Sequence, residues 1–447
     1  MVLSRIWADI DGGIPSASPT PATREPVPLP ARTGVAALSW ASVAAASLAA
    51  ADLAGSARVD LDPDRIAVAY SSERHFRWDG APMQAWAPLS GFFRSSDGWV
   101  RTHGNYPHHA AALRRGLGLD PAAETEAVAS ALRGMPAGVA TQAITAAGGL
   151  CVGVAHENAV VDAELRATPL VEVTRIAASE PRARSWGVPD APLRGIRVLD
   201  LTRVIAGPVA TRTLALLGAQ VLRIDPPALP EPEWQHLDSG HGKRSALLDL
   251  TSADDRRAFE RLLGTADVVV TGYRAAALER IGLNPEALAE RHPGIVVGRL
   301  TAWGARGGAA DRRGFDSLVQ AATGIAWLES GDGSRPGALP AQALDHSAGY
   351  LLAAGVMRTL QRQSDAGGSW AVDVSLRRVA AELLGMPRTG SPQPNGPPPD
   401  AAAHVQGFEV DGRELITARP AIAYEGGPEE FAAPRPWGKD AAVWLDE

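Results

Sequence analysis

The sequence predicts an α/β fold, in which a parallel, Rossmann-like sheet has helices on both faces and is joined to a smaller α+β domain. Between residues 196 and 300, short runs of Val, Ile and Leu alternate with helical stretches, as is typical of parallel strands covered on both faces. Residues 90–173 combine a hairpin pattern with short helices, which predicts the smaller unit. The chain has 447 residues, 45% of them hydrophobic, and is long enough to bury both cores.

The individual elements follow from these patterns. In the larger unit we predict strands at 196–201, 220–224, 246–250, 267–271 and 295–300, and helices at 206–217, 253–263 and 285–291. Upstream we predict an Ala-rich helix at 35–53, a strand at 57–61, a hairpin at 91–102 that turns at Asp97-Gly98, and helices at 110–117 and 124–133.

Composition divides the chain into four parts. Residues 1–31 hold six prolines and are expected to form an extended arm, because proline blocks helices and central strands. Residues 32–176 are assigned to the small α+β domain and residues 193–386 to the Rossmann-like domain. The tail, 387–447, is proline-rich at its start and is expected to lie extended over the surface.

Charge and cysteine content exclude several classes of protein. A formal net charge of −7 argues against a nucleic-acid binder, which needs a basic excess. The single cysteine, Cys151, excludes an internal disulfide framework, and no secretory signal pattern is present, so we expect a cytoplasmic protein. The uncharged stretch 35–51 is mostly Ala and Ser, which gain little on leaving water, so we interpret it as a packed helix and not as a membrane span.

A short internal repeat links the two units. Residues 55–61 (Gly-Ser-Ala-Arg-Val-Asp-Leu) align without a gap with residues 368–374 (Gly-Ser-Trp-Ala-Val-Asp-Val). Each segment follows an Ala/Leu-rich helix. We interpret the pair as a repeated helix–turn–strand unit, although a match of this length also arises by chance.

The first βα turn, residues 200–208, lacks the Gly-x-Gly-x-x-Gly pattern, which disfavours a nicotinamide-dependent dehydrogenase. It still lies where ligands of open parallel sheets bind, and the following helix offers free N–H groups to an anion.

Other residues of chemical interest are ambiguous from spacing alone. Asp345 fits the N-cap of the helix that follows it. His103, His108 and His109 have no matching ligand spacing, so no metal site is expected. Cys151 lies in an apolar stretch and is interpreted as a core residue.

Ten short motifs follow one another in order between residues 192 and 374. They are Pro-Leu-Arg-Gly-Ile-Arg-Val-Leu-Asp-Leu (192–201), Ala-Gly-Pro (206–208), Leu-Gly-Ala (217–219), Gly-Lys-Arg-Ser (242–245), Leu-Asp-Leu (248–250), Ala-Asp-Val-Val-Val (266–270), Leu-Glu-Arg-Ile-Gly-Leu (278–283), Arg-Gly-Phe-Asp (313–316), Ala-Leu-Asp-His (343–346) and Val-Asp-Val (372–374). Together they resemble the family III CoA-transferases, the carnitine and formyl-CoA transferase type of the CaiB/BaiF superfamily. Each block alone is weak, but the ordered series is specific.

The resemblance implies that coenzyme A binds along the loops at the carboxyl ends of the strands, as a substrate and not as a permanent cofactor. By motif position, the implied contacts are Val204 and Ala206 on the adenine side, Leu248, Asp249, Gly272 and Tyr273 at the nucleotide, and Arg280 and Arg313 at the phosphates or pantetheine. Arginine is suited to this role because its guanidinium matches the geometry of phosphate.

The resemblance also implies that Asp345 is the nucleophile of an enzyme that moves CoA from an acyl-CoA to a free carboxylic acid. A carboxylate attacks the acyl-CoA carbonyl to give a mixed anhydride, and the released thiolate converts it into an aspartyl-CoA thioester. An acceptor acid then resolves the thioester. Gly349, on the same helix, is small enough to permit close approach to the site.

Two alternatives stay open. The related acyl-CoA racemases carry His where this chain has Phe315, so an acyl-CoA racemase or isomerase is disfavoured. The other alternative is a CoA-binding protein without turnover.

The order of the parts differs from that of the family. The small domain, which resembles the family's C-terminal part, comes before the sheet, which indicates a circular permutation or a fusion of two family-like halves. Because the family forms interlocked dimers, we expect either a pseudo-dimeric monomer or a homodimer. The expected partners are an acyl-CoA and a carboxylic acid, with no nucleic acid and no membrane.

Overall fold

The computed structural model describes residues 2–11, 26–394 and 398–445, and its elements are numbered in chain order. The helices are α1 Val2–Asp11, α2 Val35–Ala54, α3 Pro63–Tyr70, α4 Ser72–His75, α5 Pro107–Gly116, α6 Thr125–Arg133, α7 Ala137–Ala146, α8 Ala159–Arg166, α9 Ala206–Leu216, α10 Glu233–Ser239, α11 Ala253–Leu263, α12 Ala275–Arg280, α13 Pro285–Arg291, α14 Asp316–Ala322, α15 Ile325–Leu328, α16 Ala343–Ala366 and α17 Leu376–Leu384. Two short 3₁₀ helices lie at Gly307–Ala309 and Ala401–His404. The strands are β1 Arg77–Trp78, β2 Ala81–Pro82, β3 Phe92–Arg94, β4 Trp99–Thr102, β5 Cys151–Gly153, β6 Glu172–Ala177, β7 Arg197–Leu201, β8 Gln220–Asp225, β9 Lys243–Leu247, β10 Val268–Thr271, β11 Val296–Thr301, β12 Ser369–Ser375, β13 Val405–Val410 and β14 Arg413–Ala418.

The centre of the described chain is a seven-stranded sheet with the strand order β6-β12-β11-β10-β7-β8-β9. Six strands run parallel, and β6 pairs antiparallel with β12 at one edge. The predicted fold class is therefore confirmed. The five strands predicted for the larger unit are all present. Only the strand predicted at 246–250 is displaced along the chain, and it corresponds to β9, Lys243–Leu247.

Successive side chains of the strands face two different cores, as the pleat of a strand requires. Val198 and Val268 belong to the larger core, which also takes residues from α2, α9 and α16. Their neighbours Leu199 and Val269 belong to a second core beneath α11, α12 and α13. Both faces of the strands are buried, which explains why they are almost continuously apolar in sequence.

The Ala-rich helix α2 packs along α16, and α16 also packs against α9. Among the described residues, α2 is the one helix that is long and apolar enough to span a membrane by length and composition. Most of its residues are buried in the larger core, so the interpretation as a packed helix is confirmed. The boundaries of the four predicted domains stay a prediction; in the structure, α2 and α3 contribute to the larger core.

The small unit consists of the antiparallel sheet β3-β4-β5 and helices α5, α6 and α7. The hairpin predicted at 91–102 is confirmed as β3 and β4, and both predicted helices are present as α5 and α6. Leu150 and Val152, at β5, pack against Leu318 and Ala321 of α14. This contact fixes the small unit over the carboxyl edge of the large sheet.

The structure corrects the expectation of an extended N-terminal arm. Val2–Asp11 form the helix α1, and its Ile6 and Ile10 are fully buried in the larger core. The prolines begin only at Pro15, so nothing blocks a helix before them. Pro15, Pro19 and Pro21 lie outside the described residues.

Two further expectations were wrong. The tail is not extended throughout, since it contains the hairpin β13–β14, and β14 also pairs with β1. The hairpin forms beyond the proline-rich start, where Asp411-Gly412 supplies a turn with positive φ values. Residues 57–61 are irregular apart from an isolated bridge at Asp60. Val59 and Leu61 are nevertheless buried in the larger core.

Gly349 allows α16 to approach α9 closely. A Cβ at this position would lie 2.6 Å from the carbonyl oxygen of Ala206 and 2.8 Å from Cβ of Val209. Because the first contact is with backbone, we expect Gly349→Ala to lower the free energy of unfolding by about 1–3 kcal/mol, despite the higher helix propensity of Ala. Urea denaturation measures this change.

The matched control is Gly331→Ala, where an added Cβ meets open space. It should change the free energy of unfolding by less than about 0.5 kcal/mol. Equal stability of the two variants would contradict the close packing of α16 on α9.

Candidate active site

Asp345 lies in the first turn of α16, but it is not the N-cap. The helix begins at Ala343 and its N-cap is Gln342. The backbone N–H of Asp345 donates a hydrogen bond to Oδ2 of Asp316 (2.9 Å), and the N–H of Leu344 also donates to Asp316. Asp316 therefore fills the capping role that spacing alone suggested for Asp345, and the Asp345 carboxylate is left to face a cavity.

Asp316 is itself held by a buried hydrogen-bond chain. It is the first residue of α14, and its Oδ1 accepts a hydrogen bond from Nε2 of Gln320 (2.5 Å). Oε1 of Gln320 accepts a hydrogen bond from the backbone N–H of Leu339 (2.9 Å). The chain fixes the start of α16 relative to α14, and with it the position of Asp345.

The two carboxyl groups are electrostatically coupled. Burial raises the pKa of Asp345 well above its usual range, and the negative charge of Asp316 raises it further. Burial raises the pKa of Asp316 to about 6, although hydrogen bonds from Gln320 and the N–H groups of Asp345 and Leu344 act in the opposite direction. Over part of the pH range the pair therefore shares one proton and carries a single negative charge.

Asp345 faces a cavity of about 470 Å³ at the carboxyl edge of the large sheet. Leu201, Gly272 and Thr301 mark the ends of β7, β10 and β11 in its wall. Four arginines also line the cavity: Arg203, Arg274, Arg312 and Arg313. On the opposite side, the small unit closes it with Tyr106, His108, His109 and Leu150.

Two of the arginines are fixed by aromatic rings. The Arg203 guanidinium lies 5.3 Å from the ring centroid of Tyr106, and that of Arg312 lies 3.6 Å from that of Trp303. A stacked guanidinium keeps its in-plane N–H groups available for a phosphate. The cavity thus combines a buried carboxylate with several cations suited to an anionic ligand.

The loop after β7 is held in a strained conformation. Val204 has a φ of +74°, which is unfavourable for a β-branched residue and costs about 1–3 kcal/mol. Its N–H donates to Oε1 of Glu231 (2.7 Å), which also accepts from the Tyr106 hydroxyl (3.2 Å). Arg223 donates to the other oxygen of Glu231 (2.5 Å) within the protein interior. This buried network holds Val204 in the cavity wall.

Of the predicted coenzyme A residues, five line the cavity together with Asp345: Val204, Ala206, Gly272, Tyr273 and Arg313. Leu248 is instead buried in the second core, and Asp249 is exposed and accepts hydrogen bonds from Thr251. Arg280 is exposed at the end of α12. The structure does not bring these three into the cavity, and a role in coenzyme A binding stays a prediction for all eight.

Sequence reasoning missed the part of the wall that comes from the small unit. Tyr106, His108 and His109 approach Asp345 only because β5 packs on α14, which no local pattern indicates. Arg203 and Arg274 were also missed, although each follows the end of a parallel strand by two or three residues. That position was the available signal.

Burial shifts the pKa values of three further candidates. Cys151 is buried and its pKa is raised to about 11 by burial, so it is not an activated nucleophile. Burial lowers the pKa of His103 and of His109 to about 3, so both rings are neutral at physiological pH.

The fold and cavity define a class of α/β protein with an arginine-lined cavity at the carboxyl edge of a parallel sheet, beside a buried carboxylate. Residues 193–407 match the family model of CoA-transferase family III. The resemblance seen in the sequence motifs is thus confirmed for this region, while the rearranged domain order stays a prediction.

Individual relatives cover the same region. The chain is 32% identical to the probable fatty acyl-CoA transferase Rv3272 of Mycobacterium tuberculosis, over 49% of this chain and 60% of that protein. It is 28% identical to the succinate–glutarate CoA-transferase of Agrobacterium fabrum, over 49% of this chain and 62% of that protein. A crystal structure of Rv3272 is 33% identical over 43% of this chain and 57% of that chain, with a TM-score of 0.41. The chain therefore spans about 60% of the length of these relatives.

Burial of Asp345 has a consequence for stability. An acid with a raised pKa in the folded state favours folding at low pH and loses this advantage as the pH rises from the unfolded value of about 4. We therefore expect Asp345→Asn, which is neutral at every pH, to raise the free energy of unfolding at pH 8 by about 1–3 kcal/mol. The gain should shrink toward pH 5, as measured by urea denaturation at both values.

Asp365→Asn is the control, because Asp365 lies exposed near the other end of the same helix. It should leave the stability unchanged at both pH values. An Asp345→Asn variant that is less stable than the wild type at pH 8 would contradict this account. It would show that the Asp345 carboxylate stabilises the fold, and that its burial is not a net cost.

Proposed function

We propose that this chain is a CoA-transferase that moves CoA from an acyl-CoA to a free carboxylic acid, with Asp345 as its nucleophile. One observation carries the proposal. Asp345 is only 6% exposed, it is not the N-cap of its helix, and it faces an arginine-lined cavity at the carboxyl edge of the sheet. The activities for which relatives are named, among them succinate–glutarate CoA-transferase, support the same reaction type.

The proposed reaction has two halves: CoA is transferred from the donor acyl group to Asp345, and then from Asp345 to the acceptor. Asp345 Oδ attacks the thioester carbonyl, the C–S bond breaks, and a mixed anhydride and CoA thiolate are formed. The thiolate attacks the aspartyl carbonyl, which releases the donor carboxylate and leaves an aspartyl-CoA thioester. The acceptor carboxylate then attacks this thioester, and the thiolate takes the acceptor acyl group from the new anhydride. Asp345 is regenerated as a carboxylate, with no net proton transfer.

The local structure supports each requirement of this sequence. Asp345 lies at the N-terminal end of the 24-residue helix α16, where the helix dipole favours negative charge and opposes the effect of burial. The arginines offer charge to the phosphates of CoA, which is bound as a substrate and not as a permanent cofactor. Tyr273 lines the cavity, and its buried hydroxyl has no hydrogen-bond partner among the described residues.

We further propose that the rearranged chain supplies both halves of the site by itself, as a cytoplasmic pseudo-dimer. The packing of α2 along α16 and the closure of the cavity by the small unit both occur within one polypeptide. These contacts support the permuted or fused arrangement inferred from the order of the parts.

The direct test is intact mass spectrometry of the protein mixed with a panel of acyl-CoAs. We expect a CoA adduct that peptide mapping assigns to Asp345 and that hydroxylamine converts to the hydroxamate, because only an activated aspartyl group reacts in this way. The adduct should be absent in Asp345→Ala and present in Asp365→Ala, an exposed aspartate of the same helix. Coenzyme A binding by calorimetry without any adduct would contradict the transferase proposal and leave a binding protein.

A second candidate function, an acyl-CoA racemase or isomerase, is favoured by one observation. The ring of His103 stacks on Phe315 with centroids 3.8 Å apart, and both His103 and Asp345 line a smaller second cavity. The small unit thus provides an imidazole beside the position where the sequence lacked one. A neutral imidazole and a carboxylate facing one cavity can exchange an α-proton.

Incubation of a 2-methylacyl-CoA in D₂O separates the two candidates. For a transferase we expect no incorporation of deuterium into the recovered acyl-CoA above the level without protein, because the reaction leaves the α-carbon untouched. Incorporation that is lost in both His103→Ala and Asp345→Ala, without a CoA adduct, would establish the racemase instead.

A further inference from the structure

Asp345 lies between two cavities and not only at the floor of one. The second cavity, of about 50 Å³, shares Tyr106, Val204, Phe315 and Asp345 with the large cavity. Its other lining residues are Glu73, Ala85, Trp86, His103, Asn105, Ile205, Trp234, Gln235, Ser317 and Gln342. A thioester carbonyl placed at Asp345 would therefore have the CoA chain on one side and the acyl group on the other.

The charges around the small cavity have one sign. Among the described residues that line it there is no arginine or lysine, whereas Glu73 and Asp345 are both acidic. Burial raises the pKa of Glu73 to about 7, so this carboxyl group ionises near neutral pH. His103 is neutral because burial lowers its pKa to about 3.

Arginines close to the small cavity are engaged elsewhere. Arg212 lines an adjoining cavity that also contains Glu73, and it donates to the carbonyl oxygen of Asp238 (2.6 Å). The Arg101 guanidinium lies 4.9 Å from the ring centroid of Trp86 and also stacks on Phe92, and it does not line the cavity. Arg74 lies 3.6 Å from Glu73, but its own side chain is 60% exposed and it donates to the carbonyl of Pro340. None of the three lines the small cavity.

The walls instead suit a small group without charge. The aromatic rings of Trp86, Trp234 and Phe315 supply apolar surface. Nδ1 of His103 and Oγ of Ser317 are buried and have no hydrogen-bond partner among the described residues. They can bond to a neutral oxygen of a ligand, and leaving them unpaired is unfavourable.

We propose that the small cavity is the acyl pocket, that it takes a short, uncharged acyl group of about two to four carbon atoms, and that it rejects an acyl group bearing a second carboxylate. This assignment rests on the proposed transferase function, since it places the reacting carbonyl at Asp345. A dicarboxylic acyl group would place its free carboxylate beside Glu73, in a site of low dielectric whose lining includes no arginine or lysine among the described residues.

The test compares kcat/KM of the wild-type protein for acetyl-, propionyl- and butyryl-CoA with that for succinyl- and glutaryl-CoA. We expect the values for the uncharged acyl groups to be at least about tenfold higher, because an unpaired charge in the pocket is penalised in the transition state. Glu73→Gln keeps the shape of the side chain and removes its charge. It should raise the succinyl-to-propionyl ratio of kcat/KM at least about fivefold.

Glu409→Gln is the control, because Glu409 is exposed on β13, and it should leave both rates and their ratio unchanged. Equal or faster reaction of succinyl-CoA in the wild type would overturn the acyl pocket while the transferase stands. An unchanged ratio in Glu73→Gln would overturn the role of Glu73. Failure of every acyl-CoA to react would overturn the proposed function itself. The wild-type comparison needs no variant, so a folding defect in Glu73→Gln leaves the test intact.

Discussion

The hydrogen bond from the backbone N–H of Asp345 to the carboxylate of Asp316 joins α16 to α14 beside the cavity. It satisfies the otherwise unpaired start of α16 with a side chain from α14, so the first turn of α16 needs no cap from its own residues. Burial raises the pKa of Asp345, and the negative charge of Asp316, which this contact brings near, raises it further. The contact thus influences both the position and the pKa of the proposed nucleophile.

The strands and loops around Asp345 and Asp316 are themselves held in place by buried contacts. The parallel strands β7, β10 and β11 end at the cavity, and buried ion pairs fix the loops that follow them. Lys243 donates to Asp200 (3.0 Å) and to the carbonyl of Pro208 (2.9 Å), while Arg223 pairs with Glu231 beneath Val204. Buried ionic groups of this kind are unfavourable to break singly, so they keep the loop backbone in one conformation.

The sequence was sufficient to predict the sheet, because both faces of its strands are buried and the apolar runs are therefore almost continuous. Val204 and Gly272 were found because they follow the ends of those strands, and Asp345 was found because it lies in one of the ordered motifs, at the start of α16. The contribution of Tyr106 and His109 was not predictable, since it depends on how the small unit docks on α14. Likewise, the N-cap expectation for Asp345 failed because Asp316, distant in sequence, occupies that role in three dimensions. Local patterns therefore identified the elements, and the packing between units determined the site.

The central claim is that one chain forms a complete site in which coenzyme A reaches Asp345 from the large cavity. A crystal structure of Asp345→Asn with bound CoA tests it most directly. The account predicts the thiol sulfur in van der Waals contact with residue 345, the phosphates beside the cavity arginines, and Tyr106 and His109 of the same chain closing over the ligand. Coenzyme A bound away from residue 345, or a cavity closed by residues of a second chain, would contradict it.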